Sequence, residues 1–287
     1  MNPVLILQHE DNQGPGYLLE VLHRHDIPHR LCRSAAGEAL PQNAAGWAGL
    51  VVLGSNRSAN DEGLPWVAAE LALLRDALAH GIPVLGHCFG GQLLARAMGA
   101  RVQRLAGPQI GWHRLWVTPA AQDTMFGGAR QILAFNWHYE GFEIPRGAHR
   151  ILFGQHSLNK GFAAGPHLGL QSHLEVTPDS VRAWCAEGRH ELAQTGASVQ
   201  DEAELLRDLA PRCALLHQSA RHVYGRWLAG LARRRLYALG APARATGSAR
   251  TLRATPSISS ASPMKAPRRL LDAATAPIAA GPIRIPA

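Results

Sequence analysis

Val84-Leu85-Gly86-His87-Cys88-Phe89-Gly90-Gly91-Gln92-Leu93-Leu94-Ala95-Arg96-Ala97 is the stretch on which the fold turns. Its apolar start reads as a buried strand, and Leu93, Leu94 and Ala97 restart an apolar stripe at helical spacing just after Cys88. A strand that passes into a helix so abruptly needs a sharp turn, and glycines at 86, 90 and 91 leave room for the close backbone approach. Cys88 then stands at a helix N-terminus, where the dipole and free N–H groups favour thiolate over thiol. The N–H of Phe89, next after it, is placed to stabilise an oxyanion. The spacing predicts Cys88 as a nucleophile. The other reading of the same residues is a core cysteine with glycines that serve packing alone.

Outward from this unit the pattern repeats. Val4–Leu7 and the amphipathic stretch Tyr17–His25 predict a strand and a helix, Pro28–Cys32 and Gly49–Leu53 two more strands, and Pro65–His80 a helix ended by Gly81-Ile82-Pro83. This alternation predicts an α/β fold with a mainly parallel central sheet flanked by helices. Between Arg101 and Leu170, segments such as Arg114-Leu115-Trp116-Val117 and Ile132-Leu133-Ala134-Phe135 are separated by Gly and Pro. They predict an additional small antiparallel sheet. Thr177 and Pro178 have the chemistry of an N-cap and a first helical residue, and Asp201–Leu231 reads as one or two further helices.

The chain of 287 residues is 46% hydrophobic, enough for a proper core. Its formal charge of +8 is uneven: residues 1–232 hold 19 Lys+Arg against 20 Asp+Glu, while 233–287 hold 10 against 1. The near-neutral body therefore gives no reason to expect a nucleic-acid surface, which needs clustered cations. We expect 1–232 to be the folded unit and 233–287, rich in Ala, Pro, Arg and Ser, to be a disordered tail with at most a weak nucleic-acid contact. Cys32, Cys88, Cys185 and Cys213 are too scattered for a zinc site or a disulfide framework. No metal or cofactor is expected, and no run approaches the ~20 apolar residues of a membrane span. With no leader at the N-terminus, the expected location is the cytoplasm.

A thiol nucleophile needs a general base, and the base needs a group to orient it. His173 and Glu175, in the run Gly169-Leu170-Gln171-Ser172-His173-Leu174-Glu175, supply both. Residues i and i+2 at a strand end project to the same side, so the carboxylate can hold the imidazole. An exposed loop His and Glu is the other reading.

Gly86-His87-Cys88-Phe89-Gly90-Gly91-Gln92, followed much later by His173 and Glu175, resembles the class I glutamine amidotransferases, and most closely stand-alone domains similar to the glutaminase half of GMP synthase. Leu50–Gly54, Asn60–Trp66, Ile110-Gly111-Trp112 and Trp137-His138 agree with it, so the resemblance covers about residues 4–185. It implies a flavodoxin-like fold and a Cys88–His173–Glu175 triad that hydrolyses the glutamine side-chain amide through a γ-glutamyl thioester, passing ammonia to an acceptor. It also implies that Gln92 helps hold glutamine, that Gly54 and Ser55 complete an oxyanion hole with Phe89, and that His138 lies near the site.

Three departures are visible. The family's Gly-Gly-Pro is Gly54-Ser55-Asn56, its His-Pro-Glu is His173-Leu174-Glu175, and its Trp-His-Gly-Asp ends in Tyr139-Glu140. A left-handed Ser55 would cost about 1–2 kcal/mol, and without the proline His173 loses a bias toward extended backbone. No pyrophosphatase or Walker phosphate loop is present, so the expected synthetase is a separate chain. Two alternatives stand beside this reading: a γ-glutamyl hydrolase or peptidase with the same triad, and a catalytically weakened regulatory or binding module.

Overall fold

The computed structural model describes residues 2–193 and 196–240, with side chains to 232, so most of the expected tail lies outside the described residues. In chain order the elements are β1 (Val4–Leu7), α1 (Tyr17–Arg24), β2 (His29–Cys32), β3 (Gly49–Val52), α2 (Pro65–Ala79), β4 (Val84–His87), α3 (Phe89–Ala97), β5 (Val102–Val117) and α4 (Pro119–Met125). They continue with β6 (Gln131–Phe142), β7 (His149–Gly154), β8 (Gly161–Ala164), β9 (His167–Leu170), α5 (Pro178–Glu187), α6 (Arg189–Leu192), α7 (Glu202–Leu206) and α8 (Leu209–Gly240).

The strands form one nine-stranded sheet in the order β2-β1-β3-β4-β9-β8-β7-β5-β6. From β2 to β9 the pairs are parallel, with Val4 opposite both His29 and Gly49, Leu50 opposite Val84, and Leu85 opposite Leu168. From β9 onward they are antiparallel. The α/β architecture follows the sequence, but the expected separate antiparallel sheet does not: β8 pairs with β9 along its whole length, Gly161 to Leu170 through Ala164 to His167, and carries the same sheet onward.

Alternation along each central strand feeds two cores. Val4, Ile6, Val51 and Leu85 join Leu18, Leu22, Trp184, Tyr224 and Trp227 on one face, while Leu5, Leu7, Leu50, Val52 and Val84 join Val67, Leu71, Leu74 and Leu93 on the other. Helices thus cover both faces of the parallel half, which is why its strands are continuously apolar.

Helix ends match their chemistry. The Thr177 hydroxyl accepts from Ser180 N–H while Ser180 Oγ accepts from Thr177 N–H at 2.8 Å, with Pro178 beginning α5. The Asp201 carboxylate caps α7 through Glu204 N–H, and a positive φ at Asp208 separates α7 from α8. The last helix continues through the triple arginine to Gly240. Among the described residues, no helix is long and apolar enough to cross a membrane.

With β1 flanked by β2 and β3, the order reverses there, and the loops after β1, β3, β4 and β9 gather at the carboxyl ends of the parallel strands, where open α/β sheets bind ligands.

Candidate active site

Cys88 joins β4 to α3 at φ 50° and ψ −109°, one of three non-glycine residues with positive φ among those described. The flanking glycines are sterically obligatory. A Cβ on Gly86 would lie 2.4 Å from the Gly90 carbonyl, one on Gly90 2.0 Å from Val52 O, and one on Gly91 2.4 Å from Leu170 O. All three obstacles are backbone, so no rotamer change relieves them. As the first residue of α3, Phe89 has no acceptor one turn back for its N–H.

His173 follows β9 and forms a bridge to Phe135 of β6, its N–H donating to the Phe135 carbonyl at 2.8 Å. This bridge imposes the extended conformation that a proline at 174 would otherwise favour, while Leu174 itself is fully buried in the core. The ring meets Trp184 edge-on at 4.8 Å. His173 Nδ1 donates to Glu175 Oε1 at 2.6 Å. Burial works against a charged imidazole, but Glu175 and Cys88 overcome it and raise the His173 pKa to about 10. The Glu175 pKa is shifted the other way, downward: burial opposes its ionisation, and His87 and His173 more than offset that.

The loop after β1 closes over this pair. Gly16, at φ 43°, lies so close that a Cβ there would be 2.2 Å from Glu175 O, and Tyr17 N–H donates to that carbonyl at 2.9 Å. His87, unassigned in the sequence, stands on the other side with Nδ1 3.1 Å from Glu175 Oε2, an electrostatic contact without hydrogen-bond geometry. Its Nε2 lies 3.3 Å from the Tyr224 hydroxyl of α8. Burial, then His173, lowers the His87 pKa despite Glu175.

Gly54 and Ser55 follow β3, and Gly54 stands beside His173: a Cβ on Gly54 would be 2.9 Å from His173 Cε1. Ser55 does not have positive φ, so the anticipated strain is absent. Its Oγ donates to Glu10 Oε1 at 3.1 Å, and Asn56 N–H donates to the same oxygen at 3.0 Å. Beneath this loop is a buried pair that the sequence left unseen. His9 donates through Nδ1 to Gly54 O at 2.8 Å and through Nε2 to Glu70 at 3.0 Å, and Ser34 also donates to Glu70. Burial would lower the His9 pKa, but Glu70 raises it. Isolated in sequence, these residues carry no recognisable spacing.

Gln92, from α3, donates to Glu140 O at 3.0 Å and to Gln171 Oε1 at 3.3 Å. His138 Nδ1 is 2.8 Å from Glu140 O and its Nε2 is 2.8 Å from Lys160 Nζ, so the ring donates to one and accepts from the other. Lys160 was also missed: it is fully buried and donates to Gln109, Asn136 and His138, three acceptors for the three N–H groups of an ammonium. Burial nonetheless draws its pKa down to about 7, and burial with Lys160 holds His138 neutral. Asn136 Oδ1 also accepts from Ser172 Oγ at 3.0 Å, tying this network to the residue before His173.

Two clefts meet at Cys88. One, about 210 Å³, reaches His173, Trp137, Trp184, Glu187 and Glu191. The other, about 290 Å³, reaches Gln92, Arg104, His138 and Glu140. Ser55, Asn56, Trp137 and Glu191 line both. Among the described residues, no group of three His, Cys, Asp or Glu is arranged to hold a metal.

The geometry has counterparts. The family described as Glutamine amidotransferase class-I matches residues 34–183. A solved glutamine amido transferase from Methylobacillus flagellatus is 39% identical, with TM-score 0.77 over 80% of this chain and 95% of its own. A Salmonella typhimurium protein described as glutamine amidotransferase-like, YfeJ, is 27% identical over 64% of this chain and 80% of its own. A Thermoplasma acidophilum protein described as part of a GMP synthase, 18% identical with TM-score 0.53 over 83% of this chain and 98% of its own, shares the fold. The match spans more than half of the chain and the strand–Cys88–helix turn lies within it, so this protein belongs to the class I glutamine amidotransferase family.

Proposed function

We propose that the chain hydrolyses the side-chain amide of glutamine through Cys88, His173 and Glu175. The observation that carries this reading is a cysteine held at positive φ on a helix N-terminus, sharing a cleft with a histidine whose Nδ1 is bound to a buried carboxylate at 2.6 Å. The Cys88 thiolate attacks the carboxamide carbon, and the oxyanion is met by Phe89 N–H and the Gly54–Ser55 backbone. The His173 imidazolium gives its proton to the leaving nitrogen as the C–N bond breaks, leaving a γ-glutamyl thioester. His173, now neutral, takes a proton from water as it attacks the thioester, and glutamate leaves with the thiolate restored. Glu175 orients the ring and stabilises its charge throughout.

Gln92 and Glu140 shape the cleft for the amino-acid end, with His138, itself held by Lys160, bonded to the Glu140 carbonyl. In an amidotransferase the released ammonia passes to an acceptor on a separate synthetase chain. A reducing compartment such as the cytoplasm keeps the thiol available. Residues 1–232 carry this chemistry, and the basic tail 233–287 is dispensable for it. Glutamate release from glutamine by the wild-type chain, by Cys88→Ala and by a chain ending at 240 tests the reading. Turnover that Cys88→Ala does not abolish overturns it.

The γ-glutamyl hydrolase reading is favoured by one observation, the second cleft on the His173 side of Cys88.

A further inference from the structure

We propose that the substrate class extends to γ-glutamyl amides of cationic amines, whose leaving amine occupies the cleft between Trp137, Trp184, Glu187 and Glu191. This inference rests on the assignment of Cys88 and His173 above.

The general acid decides which cleft holds which half of the substrate. The leaving nitrogen takes its proton from His173, and His173 lines only the smaller cleft. The leaving group therefore lies there, and the γ-glutamyl chain lies across Cys88 with Gln92 and Glu140. Charge supports the same division. The glutamyl cleft has both signs on its walls, Arg57 and Arg104 with Glu140 and with Glu191, which borders both clefts, and this suits an end bearing both α-ammonium and α-carboxylate. The leaving-group cleft has Glu187 and Glu191 and neither lysine nor arginine.

Its size leaves room for a leaving group larger than ammonia. Ammonia resembles water, whose share of liquid volume is about 30 Å³, whereas this cleft is about 210 Å³. Its carboxylates are set in place by neutral donors. Glu191 Oε2 accepts from Trp137 Nε1 at 3.1 Å and from the Tyr139 hydroxyl at 2.5 Å. Glu187 accepts from Asn12 Nδ2, and the Asn12 carbonyl in turn accepts from Trp184 Nε1 at 2.9 Å. Among the described residues, neither carboxylate has a lysine or arginine within ion-pair distance; the basic neighbour is His190, 4.0 Å from Glu191. Two negative charges without a protein cation, beside two indole rings 6.3 Å apart and nearly perpendicular, suit an alkylammonium, which gains from both carboxylate attraction and cation–π contact.

The chemistry balances as ordinary hydrolysis. The C–S bond forms, the amide C–N bond breaks, the His173 proton leaves with the amine, and water then releases glutamate and the thiolate. No other reactant is needed. A second carboxylate beyond the amide, as in a γ-glutamyl dipeptide, would face Glu187 and Glu191 and be repelled.

The test measures kcat/KM of the full chain for glutamine, for the γ-glutamyl monoamide of 1,4-diaminobutane, for γ-glutamyl methylamide and for γ-glutamylglycine. Two partly exposed charges predict a diamine-to-glycine ratio of about tenfold or more, shrinking as salt is raised. Glu187→Gln should reduce that ratio about threefold, by removal of one of the two charges. A ratio below about tenfold, or one unmoved by salt and by Glu187→Gln, overturns the proposal. Turnover of glutamine with no turnover of any substituted amide overturns it while leaving the Cys88 reading intact. Absence of turnover on all four removes both.

Discussion

The backbone N–H of Cys88 donates to the carbonyl of Leu170 at 2.8 Å. This bond joins the turn after β4 to the end of β9, two strands already paired through Leu85–Leu168, Gly86–Gly169 and His87–Leu170. The nucleophile and the His173–Glu175 arm are therefore held at a fixed separation by sheet register.

Cys88→Ala should reduce glutamate release by about a thousandfold or more, as loss of a covalent nucleophile does. Strain at this residue gives a second expectation. A positive φ costs a side-chain-bearing residue of order 1–3 kcal/mol, so Cys88→Gly should be at least as stable to urea as Cys88→Ala. At an ordinary helix position glycine costs about 1 kcal/mol relative to alanine. A Cys88→Gly midpoint clearly below that of Cys88→Ala would show the turn to be unstrained.

Glu175→Gln separates orientation from charge. The folded pKa of His173 is raised, so its stabilising contribution is complete below about pH 6.5 and is lost as pH climbs toward about 10. Removing the carboxylate lowers that pKa, and the imidazolium that protonates the leaving nitrogen is lost earlier. The alkaline limb of kcat/KM should move to lower pH, with kcat reduced about a hundredfold and KM little changed. A pH profile identical to wild type would remove Glu175 from the mechanism.

Lys160→Met leaves Gln109 and Asn136 with acceptors no longer satisfied by the lysine, and should cost about 1–3 kcal/mol in urea unfolding at pH 7. The pH dependence has the opposite sign to that of His173. The folded pKa, about 7, lies below the unfolded value of about 10.4. The unfolded chain thus binds the proton more tightly between these limits, and this residue makes stability rise with pH there. Lys160→Met removes this rise and leaves the fall from His173 unopposed, so its stability should drop more steeply with pH than that of wild type, which unfolding at pH 6, 8 and 10 would reveal.

Gly90→Ala places a Cβ 2.0 Å from Val52 O. Forcing β3 and α3 apart should cost about 3 kcal/mol or more and take activity with it. Gly99, at φ 84° with nothing within 4 Å of its Cβ position, is the control: Gly99→Ala should cost only the conformational penalty of about 1–2 kcal/mol and leave turnover intact. Equal costs at the two sites would deny the close packing its role.

Much of this was legible in the sequence because it is local. The strand–Cys88–helix turn declares itself by glycine spacing, and Thr177-Pro178 by capping chemistry. His173 and Glu175 were readable as a pair because strand geometry puts i and i+2 on one side. What escaped was made by contacts distant in sequence. Lys160 looks like an ordinary surface lysine until β8 inserts between β9 and β7 and brings it to Gln109, Asn136 and His138. His9, in the loop after β1, meets Glu70 on α2. The feared loss of order at Leu174 failed for the same reason: the bridge from His173 to Phe135 substitutes a neighbouring strand for a local proline.

Helix α8 reaches the site from behind, with Tyr224 against His87 and with His217 bound to the Val176 carbonyl at 2.9 Å and stacked on Tyr17 at 3.8 Å. Its side chains thus form the rear wall behind the carboxylate that orients His173. A change on α8, far from the cleft and touching no substrate, therefore reaches the general acid through His87 and Glu175.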